Sequence, residues 1–460
     1  MDQEYCGGIS LSRPKSLSFD TYIINLVFST FDLLTVVPVL SLIIREYHLS
    51  MNWAVWAVSL HLAFFAFSLP MMDNWAASKG KMEVLWTALT FFVLGTLLAG
   101  LAVEWVWFMC GRVIQAIGTG GMVPFVSSQC RRKLGKMPKG KRYLIMLAFA
   151  AAWCSVPLAS AGLAGALGWK SVFILHILFA FLVLLISQTW KIVDQPNRKG
   201  VGGESIVFFG LIVLFLMMAV TSTDFSGGIS AVLHKEVLPL WIVAIGMVVP
   251  LLMVERQGSY PFFEPHLFAN WRLWILYIQV TLQGFLWTIL TLLPFWLARQ
   301  YDTGTYGTAV CLSFIVTGAM MALPVIGFLS NPVYVHRLAY MAFLLSAVTS
   351  AGLIWIPDSR WMLLAVCLLG WCLSFAVADP VHRYMFKWVS PRRIRSGLMA
   401  AGMFRAAGGA LGFVTAARLF ESGVLISAEV RIFLFVAGVS FLGFLFSLFL
   451  GTKKVSHYNN

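Results

Sequence analysis

Long apolar runs alternate with short charged ones along the whole chain. Stretches of about twenty residues, bounded by charge, proline or glycine, fall near residues 22–44, 53–72, 84–103, 106–128, 143–166, 171–190, 205–222, 237–254, 272–297, 306–329, 338–356, 361–379, 397–418 and 430–451. At about 1.5 Å of rise per residue, some twenty helical residues cross the ~30 Å hydrocarbon layer of a bilayer. The pattern predicts an all-α integral membrane protein with fourteen transmembrane helices.

Composition agrees with this pattern. The 460 residues are 60% hydrophobic and 11% charged, with a mean hydropathy of +0.84, whereas soluble domains are about 25% charged. Before the first run, Arg13, Pro14 and Lys15 appear without a short apolar core and small-residue cleavage site, so this segment reads as a tail and not a signal peptide. The net charge of +14 would suit nucleic acid only if a folded polar domain displayed it on one face, and no stretch is long and polar enough for that. The seven cysteines lack metal-type spacing, lie mostly inside apolar runs, and read as small buried hydrophobes.

Topology explains the charge instead. Arg131, Arg132, Lys133, Lys136, Lys139, Lys141 and Arg142 follow the fourth run, Arg383, Lys387, Arg392, Arg393 and Arg395 follow the twelfth, and Lys453 and Lys454 close the chain. Lysine and arginine are retained on the cytoplasmic side, which places both termini there and the segments around Glu104, Asp224, Asp302, Asp358 and Glu421 opposite. The expected location is the cell's cytoplasmic (inner) membrane. The two basic loops lie eight helices apart. This spacing divides the chain into a tail (1–21), a six-helix bundle (22–190), a linker with two additional helices (191–270), a second six-helix bundle (271–451) and a tail (452–460).

A few polar groups interrupt the apolar runs. Asp32 sits in the first, where an ionised carboxylate costs about 2.5–3.5 kcal/mol on insertion scales and needs a counter-charge, water or a proton. Asn25, Phe28, Asp32 and Thr35 share one helical face, as do Arg112, Gln115, Thr119 and Met122 in the fourth run, with Gly111, Gly118 and Gly121 towards another side that suits close packing. Asp32 and Arg112 form either a structural ion pair or a proton-coupling carboxylate with its counter-charge, and the second reading is the one taken. Gln279, Gln283 and Trp287, at four-residue spacing in the ninth run, suit an amphipathic ligand, though such glutamines also bond neighbouring helices. His61 and His176 each read as interhelical partners. Asp379, before Pro380, pairs with Arg383 or guards the inner mouth; Arg405, with Gly408, Gly409 and Gly412 on its own face, reads as an anchor to a closely packed neighbour. Pro157, Gly162 and Gly165 in the fifth run suggest bending and sliding contact.

These residues resemble the fourteen-helix drug:proton antiporters of the major facilitator superfamily. Gly111-Arg112-Val113-Ile114-Gln115-Ala116-Ile117-Gly118 with Pro124 is similar to the fourth-helix motif of that superfamily, and Gly168-Trp169-Lys170-Ser171-Val172-Phe173 to the W-R-W-I-F signature of the sixth. Pro265-His266-Leu267-Phe268, Leu293-Pro294-Phe295-Trp296-Leu297 and the Arg405 glycines continue the likeness, and Phe31-Asp32 with Leu40 resembles the acidic first-helix motif. Two motifs are degenerate. The loop after helix two has Asp73, Ala77 and Ser78 before Gly80-Lys81, and helix five keeps only Val156-Pro157 and Ser160-Ala161 of the antiporter pattern.

The resemblance implies a major facilitator fold, two six-helix bundles plus two inserted helices, working by alternating access. It implies export of a small amphipathic compound, drug-like or metabolite, by proton antiport, with no enzyme activity and no cofactor beyond the proton motive force. Asp32 and Arg112 would serve proton coupling. Asn25, Phe28, Gln115, Thr119, Gln279, Gln283 and Trp287 would form a substrate cavity, and Pro157, Gly162, Gly165, Asp379, Arg405, Gly408 and Gly409 would act structurally or in gating. No metal site is expected. The partners would be the small-molecule substrate, protons, membrane lipids and, if an envelope is crossed, a separate periplasmic adaptor, but not nucleic acid. The alternatives are a lipid, fatty-acid or siderophore exporter or facilitator, and a non-transporting membrane partner that kept the fold.

Overall fold

The computed structural model describes residues 30–134, 136–189, 204–227, 229–257, 270–329, 335–355, 359–377, 385, 388–389, 394–421 and 428–450. Among these there are helices, turns and bends but no strand. In chain order the principal helices are α1 (30–47), α2 (Trp56–Lys79), α3 (Lys81–Leu101), α4 (Trp105–Leu134), α5 (Lys139–Leu167), α6 (Phe173–Ser187), α7 (Glu204–Ser222) and α8 (Leu238–Gln257). They continue with α9 (Trp271–Gln300), α10 (Gly304–Leu329), α11 (Val335–Gly352), α12 (Ser359–Val377), α13 (Ile394–Glu421) and α14 (Ala428–Leu450).

Ten helices among the described residues have the length and hydropathy of a membrane span: α2, α3, α5 to α10, α13 and α14. Two shorter apolar helices, Tyr340–Trp355 and Trp361–Ser374, lie within the eleventh and twelfth expected runs. α4 is 30 residues long, or about 45 Å, but Arg112, Gln115 and a basic C-terminal turn lower its hydropathy. The described part of α1 begins at residue 30.

Helix ends depart from the apolar runs for a physical reason. A hydrogen-bonded helix does not stop where the hydrocarbon stops, so α4 carries Arg131, Arg132 and Lys133 and α5 begins with Lys139, Lys141 and Arg142. The expected basic loop is therefore mostly helix. Likewise Asp73, Ala77 and Ser78 are helical, and only Gly80, at φ 106°, separates α2 from α3. A side chain would be strained at that angle, whereas glycine is not.

Packing pairs recur along the chain. α2 and α3 pack on α4, and α3 on α6; correspondingly α10 and α11 pack on α12, and α11 on α14. Across the middle of the molecule α2 meets α13 while α10 meets α5, and α7 lies against both α2 and α13. α1 and α9 each pass through a 3-10 turn, at Val37–Val39 and Leu286–Thr288, the first containing Pro38, which has no N–H to donate. At one end of the α2–α13 contact, Glu421 accepts hydrogen bonds from the Met51 and Asn52 amides, at 2.5 and 3.3 Å, and from the Asn52 side chain.

Small residues set the closest seams. A Cβ at Gly111 would meet the Ala99 amide at 2.5 Å, and one at Gly118 would collide with the Phe92 backbone, so α3 and α4 touch main chain to main chain on the expected glycine face. α9 and α13 do the same, with Gly284 against the Arg405 carbonyl and Gly408 against that of Thr281, while Gly409 lies under Leu62 and Trp287. The expectation for α5 is corrected. Its proline, Pro157, is accommodated inside a continuous helix, and a Cβ at Gly162 or Gly165 would meet nothing within 4 Å. The packed face of α5 runs through Ser160, Ala161 and Ala164, which are buried, whereas Gly162 and Gly165 are exposed.

This contrast is testable by thermal unfolding of detergent-solubilised protein. Gly284→Ala should destabilise by about 1–3 kcal/mol through overpacking, whereas Gly162→Ala should leave the midpoint unchanged or raise it. Equal losses in both variants would rule out the close α9–α13 seam.

Candidate functional site

α1 places Asp32 on the side facing α4 and α6. Arg112, fully buried on α4, grips it with both ends of its guanidinium: Nη1 donates to Asp32 Oδ1 at 2.6 Å, and Nη2 donates to Oδ2. The remaining donor edge is also occupied, since Nε donates to the Ala57 carbonyl of α2 at 2.8 Å and Nη1 also donates to Gln115 Oε1 at 2.5 Å. Bidentate pairing fixes geometry as well as charge, which a lysine could not reproduce. Gln115 passes the network on, donating from Nε2 to Thr96 Oγ1 at 3.0 Å on α3. Thr119 closes locally on the Gln115 carbonyl.

Two histidines join this centre. His176 of α6, fully buried, has Nε2 3.1 Å from Asp32 Oδ1 and 3.2 Å from Thr35 Oγ1, and Nδ1 3.4 Å from the Val172 carbonyl. Its ring meets Phe31 edge-on at 5.2 Å, and Phe31 in turn stacks on Phe179 at 4.4 Å and leans on Trp153 at 5.5 Å. His61 of α2 is buried within electrostatic range of Asp32, Arg112 and His176. Read singly, each histidine is an interhelical partner. Their convergence on one carboxylate is tertiary, and the only hint in the chain is that an ionisable residue inside a span is functional by default.

A separate cavity lies on the other side of α1. It encloses about 560 Å³, mouth included, between α1, α5, α9, α10 and α12, with Thr30, Leu34, Trp153, Trp287, Val316 and Leu373 among its walls. Thr30 and Leu34 are two residues either side of Asp32, hence about 200° around the helix from it. The polar wall groups are already engaged: Trp153 Nε1 donates to Thr30 Oγ1 at 3.1 Å, and Ser374 Oγ donates to the Ala319 carbonyl at 3.1 Å. The surface left for a ligand is apolar and aromatic.

The expected site residues therefore divide. Asp32, Arg112 and Gln115 come together, Trp287 lines the cavity, and Thr119 lies beside the ionic centre and not on the cavity wall. Gln279 donates to Ser447 Oγ of α14 at 2.8 Å, and Gln283 Oε1 accepts from Arg405 Nη2 at 3.0 Å, so both glutamines tie helices together and neither is among the cavity's described walls. Arg405 thus anchors α13 to α9 through a side-chain amide, as the reading of a closely packed anchor implies. Gly408 and Gly409 supply the close approach, and Gly162 and Gly165 do not. Asn25, Phe28 and Asp379 lie outside the described residues. No group of three metal-ligating side chains occurs among the described residues.

The family model of the Major Facilitator Superfamily matches residues 22–413, and the chain belongs to that family as a multi-pass membrane protein. It is similar to the uncharacterized MFS-type transporter YfiU of Bacillus subtilis, with 22% identity over 56% of this chain and 51% of YfiU. It also resembles the probable multidrug resistance protein EmrY of Escherichia coli, with 20% identity over 65% of this chain and 59% of EmrY. The chain thus spans about half the length of such curated relatives. Among solved structures, the nucleoside transporter NupG superimposes with a TM-score of 0.62 over 95% of this chain and 98% of its own, at 12% identity, a likeness of fold.

The Asp32–Arg112 pair makes a stability prediction. Arg112→Gln should cost about 3–5 kcal/mol by taking the bidentate counter-charge from the Asp32 carboxylate, and Asp32→Asn should cost a comparable amount. The double variant should lose much less than the sum, as a double-mutant cycle of thermal unfolding would show; additive losses would contradict the direct pair.

Proposed function

We propose that the protein is a secondary active transporter that exports a small amphipathic or lipophilic compound by proton antiport through alternating access. One observation carries the reading: α1 has the ionic centre on one face and the apolar cavity on the other. A change of protonation at Asp32 and its partners alters what holds α1 to α4 and α6, and the same helix forms a wall of the cavity. Phe31 and Trp153 give this coupling a packed route, since Trp153 touches Phe31 and also lines the cavity. Local networks with two arrangements are what an alternating cycle requires.

Other features support the same reading. The recurring packing pairs fit two six-helix halves rocking about a central site, with α7 and α8 as the inserted pair. Basic residues at the α4–α5 end fit a cytoplasmic placement of that end and of both termini. The Glu421–Asn52 contact would then clasp the two halves at the outer end. One proton falling through about 100 mV releases about 2.3 kcal/mol, enough for a roughly fiftyfold gradient of substrate. The printed description of EmrY as a multidrug resistance protein is consistent with export. The engaged polar groups of the cavity wall favour a second substrate reading within the same mechanism, a fatty-acyl or other lipid molecule, over a nucleoside or a peptide.

Proteoliposomes with an imposed pH gradient and the neutral lipophilic fluorophore N-phenylnaphthylamine test the proposal. Wild-type protein should move the probe against its gradient, and Asp32→Asn should reduce gradient-driven movement at least tenfold while leaving exchange without a gradient. Trp287→Ala should weaken probe affinity without uncoupling. Equal gradient-driven accumulation by wild type and Asp32→Asn would exclude this centre from coupling, and absence of flux in all proteins would favour a non-transporting role.

A further inference from the structure

We propose that the exchangeable proton of the Asp32 centre resides on His176, while Asp32 is ionised on Arg112 in both resting states; this rests on the proton-coupled reading above. The hydrogen-bond inventory around the imidazole carries it. Nδ1 faces one group, the Val172 carbonyl at 3.4 Å, which only accepts. Nε2 faces Asp32 Oδ1 at 3.1 Å, a carboxylate oxygen already receiving an N–H from Arg112, and Thr35 Oγ1 at 3.2 Å. The Thr35 hydroxyl also lies within donating distance of two main-chain carbonyls, those of Asp32 at 2.9 Å and Phe31 at 3.1 Å, and when it donates to either it offers lone pairs to the ring.

Two of the ring's three neighbours, the Asp32 carboxylate and the Val172 carbonyl, can therefore only accept, whereas the Thr35 hydroxyl can accept from Nε2 or donate to it. With a proton on Nδ1 alone, the Nε2 lone pair would confront the carboxylate. With a proton on Nε2 alone, the Nδ1 lone pair would confront the Val172 carbonyl. Only the imidazolium, donating from both nitrogens, satisfies the carboxylate and the carbonyl together.

Charge points the same way. Protonating Asp32 would strip a fully buried guanidinium of its counter-ion, which is the expensive way to discharge a buried pair. Protonating and deprotonating His176 leaves the pair intact and switches the centre between one net positive charge and none. Among the described residues the charged or titratable groups that interact with this centre are Asp32 from α1, Arg112 from α4 and His61 from α2; α3 brings to His176 the Phe92 ring, which does not titrate.

The route in follows from exposure. The Arg112 and His176 side chains are fully buried, whereas that of Asp32 is 12% exposed. A proton from water forms an O–H bond on the Asp32 carboxylate, that bond breaks as the His176 Nε2–H bond forms, and the carboxylate returns to its ionised state on Arg112. Release runs the same steps backwards. In this scheme Thr35 and the Val172 carbonyl are positioning groups that hold the ring in line.

Full-length protein labelled with nitrogen-15 histidine, with each buried signal assigned by substitution, tests the proposal by magnetic resonance. The ring signal absent from His176→Gln should show both nitrogens protonated at neutral pH, lose one proton as pH rises, and become singly protonated at neutral pH in Asp32→Asn. In proteoliposomes carrying N-phenylnaphthylamine, His176→Gln should abolish the pH dependence of gradient-driven movement and lower its rate at least tenfold. His176→Asn provides the same assignment should the glutamine variant fold poorly. A neutral His176 ring at neutral pH, a wild-type pH profile in His176→Gln, or assignment of the imidazolium to His61 through His61→Gln would overturn the proposal. Normal gradient-driven movement in Asp32→Asn would instead overturn the coupling role of the centre, while the ring signal would still report where the proton sits.

Discussion

A buried guanidinium must be paired, and much of the first six helices is arranged to pair Arg112. Its Nε takes a carbonyl of α2, its two terminal nitrogens take the carboxylate of α1, and Gln115 beside it continues the network to α3. Four helices are thereby held at fixed depth relative to one another. In a membrane, where lipid is as apolar as the helix surfaces, such polar contacts and close packing take over the role that hydrophobic burial plays in water. The cost of leaving either partner alone makes the arrangement a strong constraint on depth and register.

The second constraint is steric. Where backbones meet at Gly111, Gly118, Gly284 and Gly408, no side chain separates the helices, and dispersion contacts are made along main chain. These seams join α3 to α4 and α9 to α13. The contacts that cross the molecule are of another kind, long side chains such as Leu62 against Gly409 and the Glu421 clasp on Asn52. Tight seams inside each of the proposed halves and replaceable contacts between them fit the rocking cycle proposed above. The 3-10 turn of α9 lines the cavity through Leu286 and Trp287, whereas that of α1 follows the cavity-lining Leu34.

Much of the site was legible before the fold was seen, though unevenly. Asp32 and Arg112 stood out because charge in an apolar run is costly, and their meeting is what that cost requires. The glycine face of α4 was also readable, because small residues at helical spacing serve little other purpose. By contrast Gln279 and Gln283 looked like ligand groups and turned out to bond Ser447 and Arg405, since an amide in a span is satisfied by whichever helix comes first. Gly162 and Gly165 looked like a packing face and point outward, because composition gives the presence of small residues but not the direction of the neighbour. His176 and His61 each read as an interhelical partner, but nothing in the chain said that both would come to the Asp32 centre.

By itself the chain determined that it is a helical membrane protein, which residues had to be shielded from lipid, and that a carboxylate and a guanidinium had to find partners. Those follow from solvation and helical periodicity, which act locally along the chain. Only the tertiary structure decided that His176 completes the Asp32 centre, that this centre and the cavity lie on opposite sides of α1, and that the cavity wall is apolar. Each of these depends on how helices distant in sequence are rotated about their own axes, and that rotation is set by packing among all of them at once.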